Sequence, residues 1–254
     1  FRSKQKLKKL IISFVFSFST LVFAENFRIA KLFTVNVSED SDFTKTEVLS
    51  LNDSVAIFLP DSMEYIDGLE VRFEIPEEIA LQKSCCAFSI YDSVQPAPKS
   101  DQIDYSGNRI FRGVIPGKLS WIVQIPFSQN NNLKSNLYTT KIGQIPDLKE
   151  NYLFIKLRQL LPVLPPELED SRITVTIKPI LSNKGKLNIK LICPDDNLES
   201  CAIYIDDYAY NMNTINNGIL LDSGIHSISV ISEYYRTEVR KIRIDQAKQT
   251  DISI

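Results

Sequence analysis

Apolar and polar positions alternate with a period of two along much of this chain. Leu69, Val71, Phe73 and Ile75 line one side of a run whose other side is Glu70, Arg72 and Glu74, and Pro76 stops it. Successive side chains of a strand point to opposite faces, so this phase predicts one buried and one wet face. It recurs in Val55-Ile57-Leu59 before Pro60, in Trp121-Val123-Ile125-Phe127, and in Leu153-Ile155-Leu157 with Lys156 and Arg158 between. Ile173-Val175-Ile177 repeats it between Arg172, Thr174, Thr176 and Lys178. Helical signals are thin. Pro76 to Leu81 starts as a short helix does, with proline first and two acids near the positive end of the helix dipole. Lys156 to Leu161, ended by Pro162, is a second short candidate. Pro165-Pro166 with the acids after it, Gln95 to Gly107, and Gln129 to Asn132 read as surface loops.

The predicted fold class is therefore mainly β. A β-sandwich-like domain over residues 25–180 is long enough for its own core, and Ser182-Asn183-Lys184-Gly185 supplies turn chemistry at its end. A smaller β module with a short linker occupies residues 181–254.

Residues 1–24 have a different character. Arg2, Lys4, Lys6, Lys8 and Lys9 precede an apolar stretch from Leu10 to Phe23, and small Ala24 stands before acidic Glu25. This is the layout of a signal peptide cut after Ala24, and the stretch is short for a permanent span, which takes about 20 apolar residues. An uncleaved N-terminal anchor is the alternative; on both readings residues 25–254 are exported. After cleavage no stable membrane span is expected, and no cysteine near the cut offers a lipid tether. The leader also hides the charge of the body. Five of the 29 basic side chains and none of the 31 acidic ones lie in residues 1–24, leaving 24 against 31, or −7. A body this acidic with no basic tract argues against nucleic acid as a partner.

From Gly185 onward the order of features carries information. Lys186 to Ile192 alternates into Cys193-Pro194, and Asp195-Asp196-Asn197 turns the chain. Ala202 to Ile205 stops at Asp206-Asp207, and an Asn-rich segment leads to Ile219-Leu220-Leu221. Gly224-x-His226 then opens a strand through Val230, Tyr234-Tyr235 precedes another up to Ile244, and Asp251 to Ile254 closes the chain. Residues 185–254 thereby resemble the PEGA domain, a small surface β module of exported bacterial proteins. The resemblance implies a role outside the cytoplasm, with no fixed ligand. It also implies that His226 belongs to the framework. Departures are Asp207 where the family prefers glycine, Leu198 to Ala202 in place of the Pro-Glu-Gly-Ala stretch, and Asn211 to Asn217 in place of Gly…Thr-Pro.

Chemistry is sparse. No GxSxG, HExxH, Walker A or GxGxxG pattern occurs, and eight glycines leave little material for a phosphate-cradling loop. Cys193 and Cys201 can bridge in an oxidising compartment or remain two thiols. Cys85-Cys86 cannot easily close on itself, and a zinc site is disfavoured because neither pair has CxxC spacing and His226 is the one histidine. Glu39-Asp40-Ser41-Asp42 reads as a solvated acidic turn rather than a calcium loop. Trp121, with Phe127 and Tyr138, would make a platform for sugar rings, but its phase places it in the core. Tyr204, Tyr208, Tyr210, Tyr234 and Tyr235 suit a protein interface. The reading is a non-enzymatic exported protein of the periplasm or cell envelope, or a secreted one, without cofactor or metal. Its partner is another envelope protein. The alternatives are binding of cell-wall carbohydrate or peptidoglycan, and a carboxylate-dependent hydrolase.

Overall fold

The computed structural model describes residues 24–38, 44–82, 84–129, 133–192, 201–233 and 235–254. The leader through Phe23, the acidic stretch 39–42 and the turn 195–197 lie outside these residues. The protein is mainly β, as its alternation predicts.

The segment 25–181 runs β1 (Glu25–Arg28), β2 (Leu32–Asn36), β3 (Thr44–Leu49), β4 (Ser54–Phe58), β5 (Ile66–Glu74), helix α1 (Glu77–Leu81) and β6 (Cys86–Gln95). It continues through β7 (Asp104–Val114), β8 (Ser120–Pro126), β9 (Thr139–Lys141), β10 (Tyr152–Gln159), helix α2 (Pro166–Glu169) and β11 (Ile173–Leu181). Six strands pair in the order β1-β7-β6-β10-β4-β2, and five in the order β3-β11-β5-β8-β9. Between the sheets lies a core drawn from both, including Val55, Ile57, Phe88, Ile90, Leu153 and Ile155 on one side and Leu69, Val71, Phe73, Val123, Val175 and Ile177 on the other. The outer face of the five-stranded sheet is wet, as expected: Glu70 meets Arg72 and Lys178, each at 3.6 Å.

The six-stranded sheet breaks the expectation of one wet face. In β10 Leu153, Ile155 and Leu157 enter the main core, yet Tyr152 and Phe154, pointing the other way, are buried too. A second cluster therefore forms on the outer face from Phe27, Ile29, Ala56, Tyr91, Val94, Tyr105, Tyr152 and Phe154. Chain geometry explains what covers it. β1 and β2 stand at opposite ends of the strand order, which in a flat six-stranded sheet is about 24 Å apart. Only residues 29–31 join them, and four residue steps reach at most about 14 Å. The sheet must coil until β1 lies as a strap over its outer face. Phe27 accordingly stacks on Tyr91 of β6 with ring centroids 4.2 Å apart and reaches Phe154 of β10 at 6.1 Å. Three backbone bonds fasten the crossing: Ile29 N–H to Ile103 O at 2.9 Å, Ala30 N–H to Asn52 O at 3.0 Å, and Ser54 N–H to Lys31 O at 2.9 Å.

Several local expectations give way to tertiary pairing. Lys156–Leu161 is not a helix, because residues through Gln159 pair with β6, and Lys156 also pairs with Ser54 of β4. The expected loop 95–107 is shorter, since β7 begins at Asp104 to accept β1. Pro165-Pro166 starts the one-turn helix α2, which buries Leu168.

The C-terminal segment contains β12 (Lys184–Lys190), β13 (Cys201–Ile205), β14 (Tyr208–Tyr210), helix α3 (Met212–Asn216), β15 (Ile219–Asp222), β16 (Gly224–Ser232), β17 (Glu238–Ile244) and β18 (Gln249–Ser253). Lys184 and Gly185 thus belong to a strand and not to the turn expected at 182–185. A three-stranded sheet β15-β12-β18 packs on a four-stranded sheet β14-β13-β16-β17 around Leu187, Ile203, Ile205, Ile215, Ile228 and Ile244. Gly185 lets the layers meet, since a Cβ there would sit 2.3 Å from the Asp245 carbonyl oxygen.

If the strap holds the outer face shut, removing its anchor loosens the first sandwich. Phe27→Ala is expected to lower stability by about 3 kcal/mol or more, read by denaturant unfolding, and to speed amide exchange in residues 25–31. Unchanged exchange there would contradict this role.

Candidate functional site

Two surfaces and one side-chain clamp emerge from the fold. The first surface lies where the strap leaves part of the outer sheet face uncovered. A recess of about 310 Å³ opens between β1 and the sheet, lined by Glu25 and Phe27 of the strap, Ser89 and Tyr91 of β6, Arg109 of β7, and Lys156 and Arg158 of β10. Register explains the convergence: Ser89 stands opposite Lys156, and Tyr91 opposite Arg109 and Phe154. Arg109 Nη1 is 2.6 Å from Glu25 Oε2, and Lys156 Nζ lies 5.4 Å from the centroid of the Phe27 ring. Burial raises the Tyr91 phenol above its ordinary value, against the pull of Ser89 and Arg109 at its hydroxyl.

The second surface is the outer face of the four-stranded C-terminal sheet. Ile203 and Ile205 point inward, so the alternate positions point out, and cross-strand partners share a face. One row crosses all four strands: Ala209, Tyr204, Ser229 and Val239. Ile231 beside Ala202, and Ile225 beside Arg243, extend it. Ile225 is 73% exposed and Val239 61%, so among the described residues nothing covers this face. Its described charges are the cations Lys241 and Arg243, the latter 3.1 Å from Asp245.

The tyrosines singled out in the sequence do not form one patch. Tyr204 is on the outer face; Tyr210, opposite Ile203, packs against the inner core. Tyr208, opposite Ile205, shares that inner side at the sheet edge and is exposed. Tyr235 follows β16 and Tyr234 lies outside the described residues. The period of two is the reason: neighbours on one strand cannot share a face. The apolar outward positions Ile225, Ile231 and Val239 are what the sequence reading missed, and the i, i+2 phase with Ser227 and Ser229 was the signal for them.

His226 is held from both sides. Its Nδ1 is 2.5 Å from Asp206 Oδ2 and its Nε2 is 2.7 Å from the Asp222 carbonyl oxygen, while Ser227 N–H donates to Asp206 Oδ1 at 2.9 Å. Both ring nitrogens face acceptors, and a neutral imidazole carries one N–H, so both contacts are made together by the imidazolium. No ring nitrogen is left to act as a base. Burial lowers the His226 pKa, but Asp206 and the Asp222 carbonyl outweigh it and the net shift is upward. Asp206 is held below the usual carboxylate range, first by the Ser227 N–H and then by His226. Asp206 and Asp207 form the two-residue turn between β13 and β14, at φ 46° and 69°. Both lie in the left-handed region of a type I′ hairpin, which glycine adopts at less cost than Asp207.

The remaining candidates are structural in geometry. Trp121 packs on Phe73 and Phe88 and donates from Nε1 to Thr140 Oγ1 at 3.1 Å, so its ring is engaged with the core. Cys85 and Cys86 are buried free thiols; burial raises Cys85 and pushes Cys86 to about 12, which leaves little thiolate at neutral pH. Cys201 is a half-buried free thiol, and Cys193, the partner considered for it, lies outside the described residues. Among the described residues no group of three or more His, Cys, Asp or Glu side chains is arranged to hold a metal, and no helix is long and apolar enough to cross a membrane.

Comparison with family models, with curated proteins and with solved structures finds no match for this chain.

The clamp makes stability depend on pH with a defined sign. His226 holds its proton more tightly folded than unfolded, so its contribution is complete below the unfolded value of about 6.5 and fades as pH rises through the folded one. Asp206 contributes above its unfolded value of about 3.9 and fades as pH falls through the folded one. Thermal melts of the C-terminal module should therefore be highest between about pH 4 and 6.5, and His226→Asn should flatten the alkaline limb. Asp207→Gly should raise stability by about 0.5–1 kcal/mol in the same assay, by relieving positive φ.

Proposed function

We propose that this is an exported cell-envelope protein that acts without catalysis, by holding a protein partner on the outer face of its C-terminal sheet. The observation that carries this reading is one sheet face on which Ile225, Ile231 and Val239 are exposed and Tyr204 is half-buried, with Ser227 and Ser229 between them, on an otherwise acidic body. Exposed apolar side chains gathered on one face mark interaction sites. Lys241 and Arg243 at its margin suit a partner whose apolar patch is rimmed by acids. Export is supported by the position of β1, which begins at Glu25, the residue after the cut expected at Ala24. A PEGA-like identity of the C-terminal module is supported by its strand order and by Gly224 at φ 152° opening the strand of His226. Binding of a cell-wall glycan by the N-terminal sandwich is a second reading; the recess under β1, and not Trp121, supports it.

A photo-crosslinking residue at position 239, introduced in intact cells, is expected to trap one envelope protein in stoichiometric yield. Ile225→Asp, an exposed change that leaves the core intact, should abolish the adduct. Adducts indifferent to Ile225→Asp would remove this face as the contact. Mass spectrometry of the envelope fraction is expected to find a chain starting at Glu25; a chain retaining the leader in the cytosol would end the export reading.

A further inference from the structure

The recess under β1 has a charge opposite to that of its protein. Residues 25–254 carry 24 basic side chains against 31 acidic ones, yet Arg109, Lys156 and Arg158 line this recess with Glu25 as its one acid. Glu25 is engaged by Arg109. Among the described residues no carboxylate oxygen lies within 4 Å of the Lys156 ammonium or the Arg158 guanidinium. Arg28, further along the strap, is directed to Asp104 at 3.7 Å. Lys156 is only partly exposed, and a part-buried ammonium with no carboxylate in ion-pair contact is stabilised when an anion joins it. Burial first, and Arg158 second, pull its pKa below the ordinary lysine value, with Glu25 opposing them. The Phe27 ring beneath Lys156 offsets part of that cost as a cation–π contact.

The rest of the lining says what kind of molecule carries the anion. The buried Ser89 and Tyr91 hydroxyls lie between the cations, linked to each other and to Arg109, and Glu25 is an acceptor on the rim. These are partners for the hydroxyl groups of a sugar. A volume of about 310 Å³ is at the small end of ligand sites and holds about one sugar ring. The aromatic floor is closed, because Phe27 and Tyr91 stack on each other, so charge and hydrogen bonds, not ring stacking, must do the holding. On the other side of β1 a second recess of about 540 Å³ is lined by polar groups including Gln95, Asp104 and Ser106, giving a longer saccharide somewhere to continue. An acidic peptide fits less well, since its neighbouring carboxylates would meet Glu25 and Asp104.

We propose that the recess between β1 and the six-stranded sheet binds a saccharide through an acidic substituent, a carboxylate or a phosphate. The anion sits between Lys156 and the guanidinium groups of Arg109 and Arg158, and the sugar hydroxyls meet Ser89, Tyr91 and Glu25. Bidentate recognition of carboxylate or phosphate is the chemistry guanidinium groups do best. This inference rests on the glycan reading and deepens it by naming the ligand class; the C-terminal face plays no part in it.

The test is isothermal titration of the purified protein at low salt with glucuronic acid, glucose 6-phosphate, glucose, inorganic phosphate and a tetraglutamate peptide. Glucuronic acid or glucose 6-phosphate is expected to bind and glucose not, the better of the two acids identifying carboxylate or phosphate as the source. Lys156→Met removes a part-buried charge while keeping the bulk of the stem; it should fold at least as well as wild type and bind at least about tenfold more weakly. Ser89→Ala should weaken the acidic sugar and leave inorganic phosphate unchanged. Phosphate binding as tightly as either acidic sugar, or tetraglutamate binding more tightly, would overturn the saccharide assignment. Glucose binding as well as the acids would keep the glycan reading and overturn the anionic one. Absence of binding by every sugar at millimolar concentration would overturn both, and affinity unchanged in a folded Lys156→Met protein would overturn the anion site in this recess.

Discussion

The architecture of the first sandwich depends on how an apolar sheet face is covered. Its six-stranded sheet buries side chains on both sides, and among the described residues the four-residue strand β1 shields the side away from the main core. The shortness of the link from β1 to β2 forces the sheet to coil, and coiling brings Phe27 onto Tyr91, Tyr105 and Phe154. Aromatic burial on this scale is strongly favourable, which is how so short a strand keeps its place. The strap covers the aromatic half of the face and stops short of the cationic half. Glu25, the first residue of β1, lines the recess beside the anchoring Phe27.

The C-terminal module solves a different problem. Its hairpin turns on two aspartates in the left-handed region, where one would be glycine by preference. Asp206 offsets that strain by accepting from the Ser227 backbone and the His226 ring at once. The imidazolium in turn joins the end of β13 to the carbonyl of Asp222 at the end of β15, so one charged ring ties the four-stranded sheet to the three-stranded one. A histidine that alone in a sequence invites a catalytic role is here fully occupied in fastening two layers. The outer side of the same sheet, free of that duty, keeps Ile225, Ile231 and Val239 in solvent.

Much of this was legible in the sequence, and the exceptions share one cause. Period-two alternation identified strands through Leu69–Ile75, Trp121–Phe127, Leu153–Leu157 and Ile173–Ile177, because it reflects a local property, which face each side chain takes. The same phase put Trp121 in the core and the Gly224-x-His226 step at the opening of a strand. It misjudged Lys156–Leu161 as a helix and Asp104–Gly107 as loop, where the deciding hydrogen bonds come from strands distant in the chain. It treated five tyrosines as one surface, although the alternation that located their strands also divides them between faces.

By itself the sequence determined the strand-rich class, the spacing of the strands and the acidic balance of residues 25–254, since each follows from residue type and local phase; the framework place of His226 came from the resemblance to the PEGA domain. Tertiary structure alone decided that the face bearing Tyr152 and Phe154 is buried, that Arg109, Lys156 and Arg158 share a recess, and that Tyr204 belongs with Ile225 and Val239. Those outcomes depend on which strands become neighbours and on how far three linking residues can reach. Neither quantity is written in any stretch of sequence short enough to read by pattern.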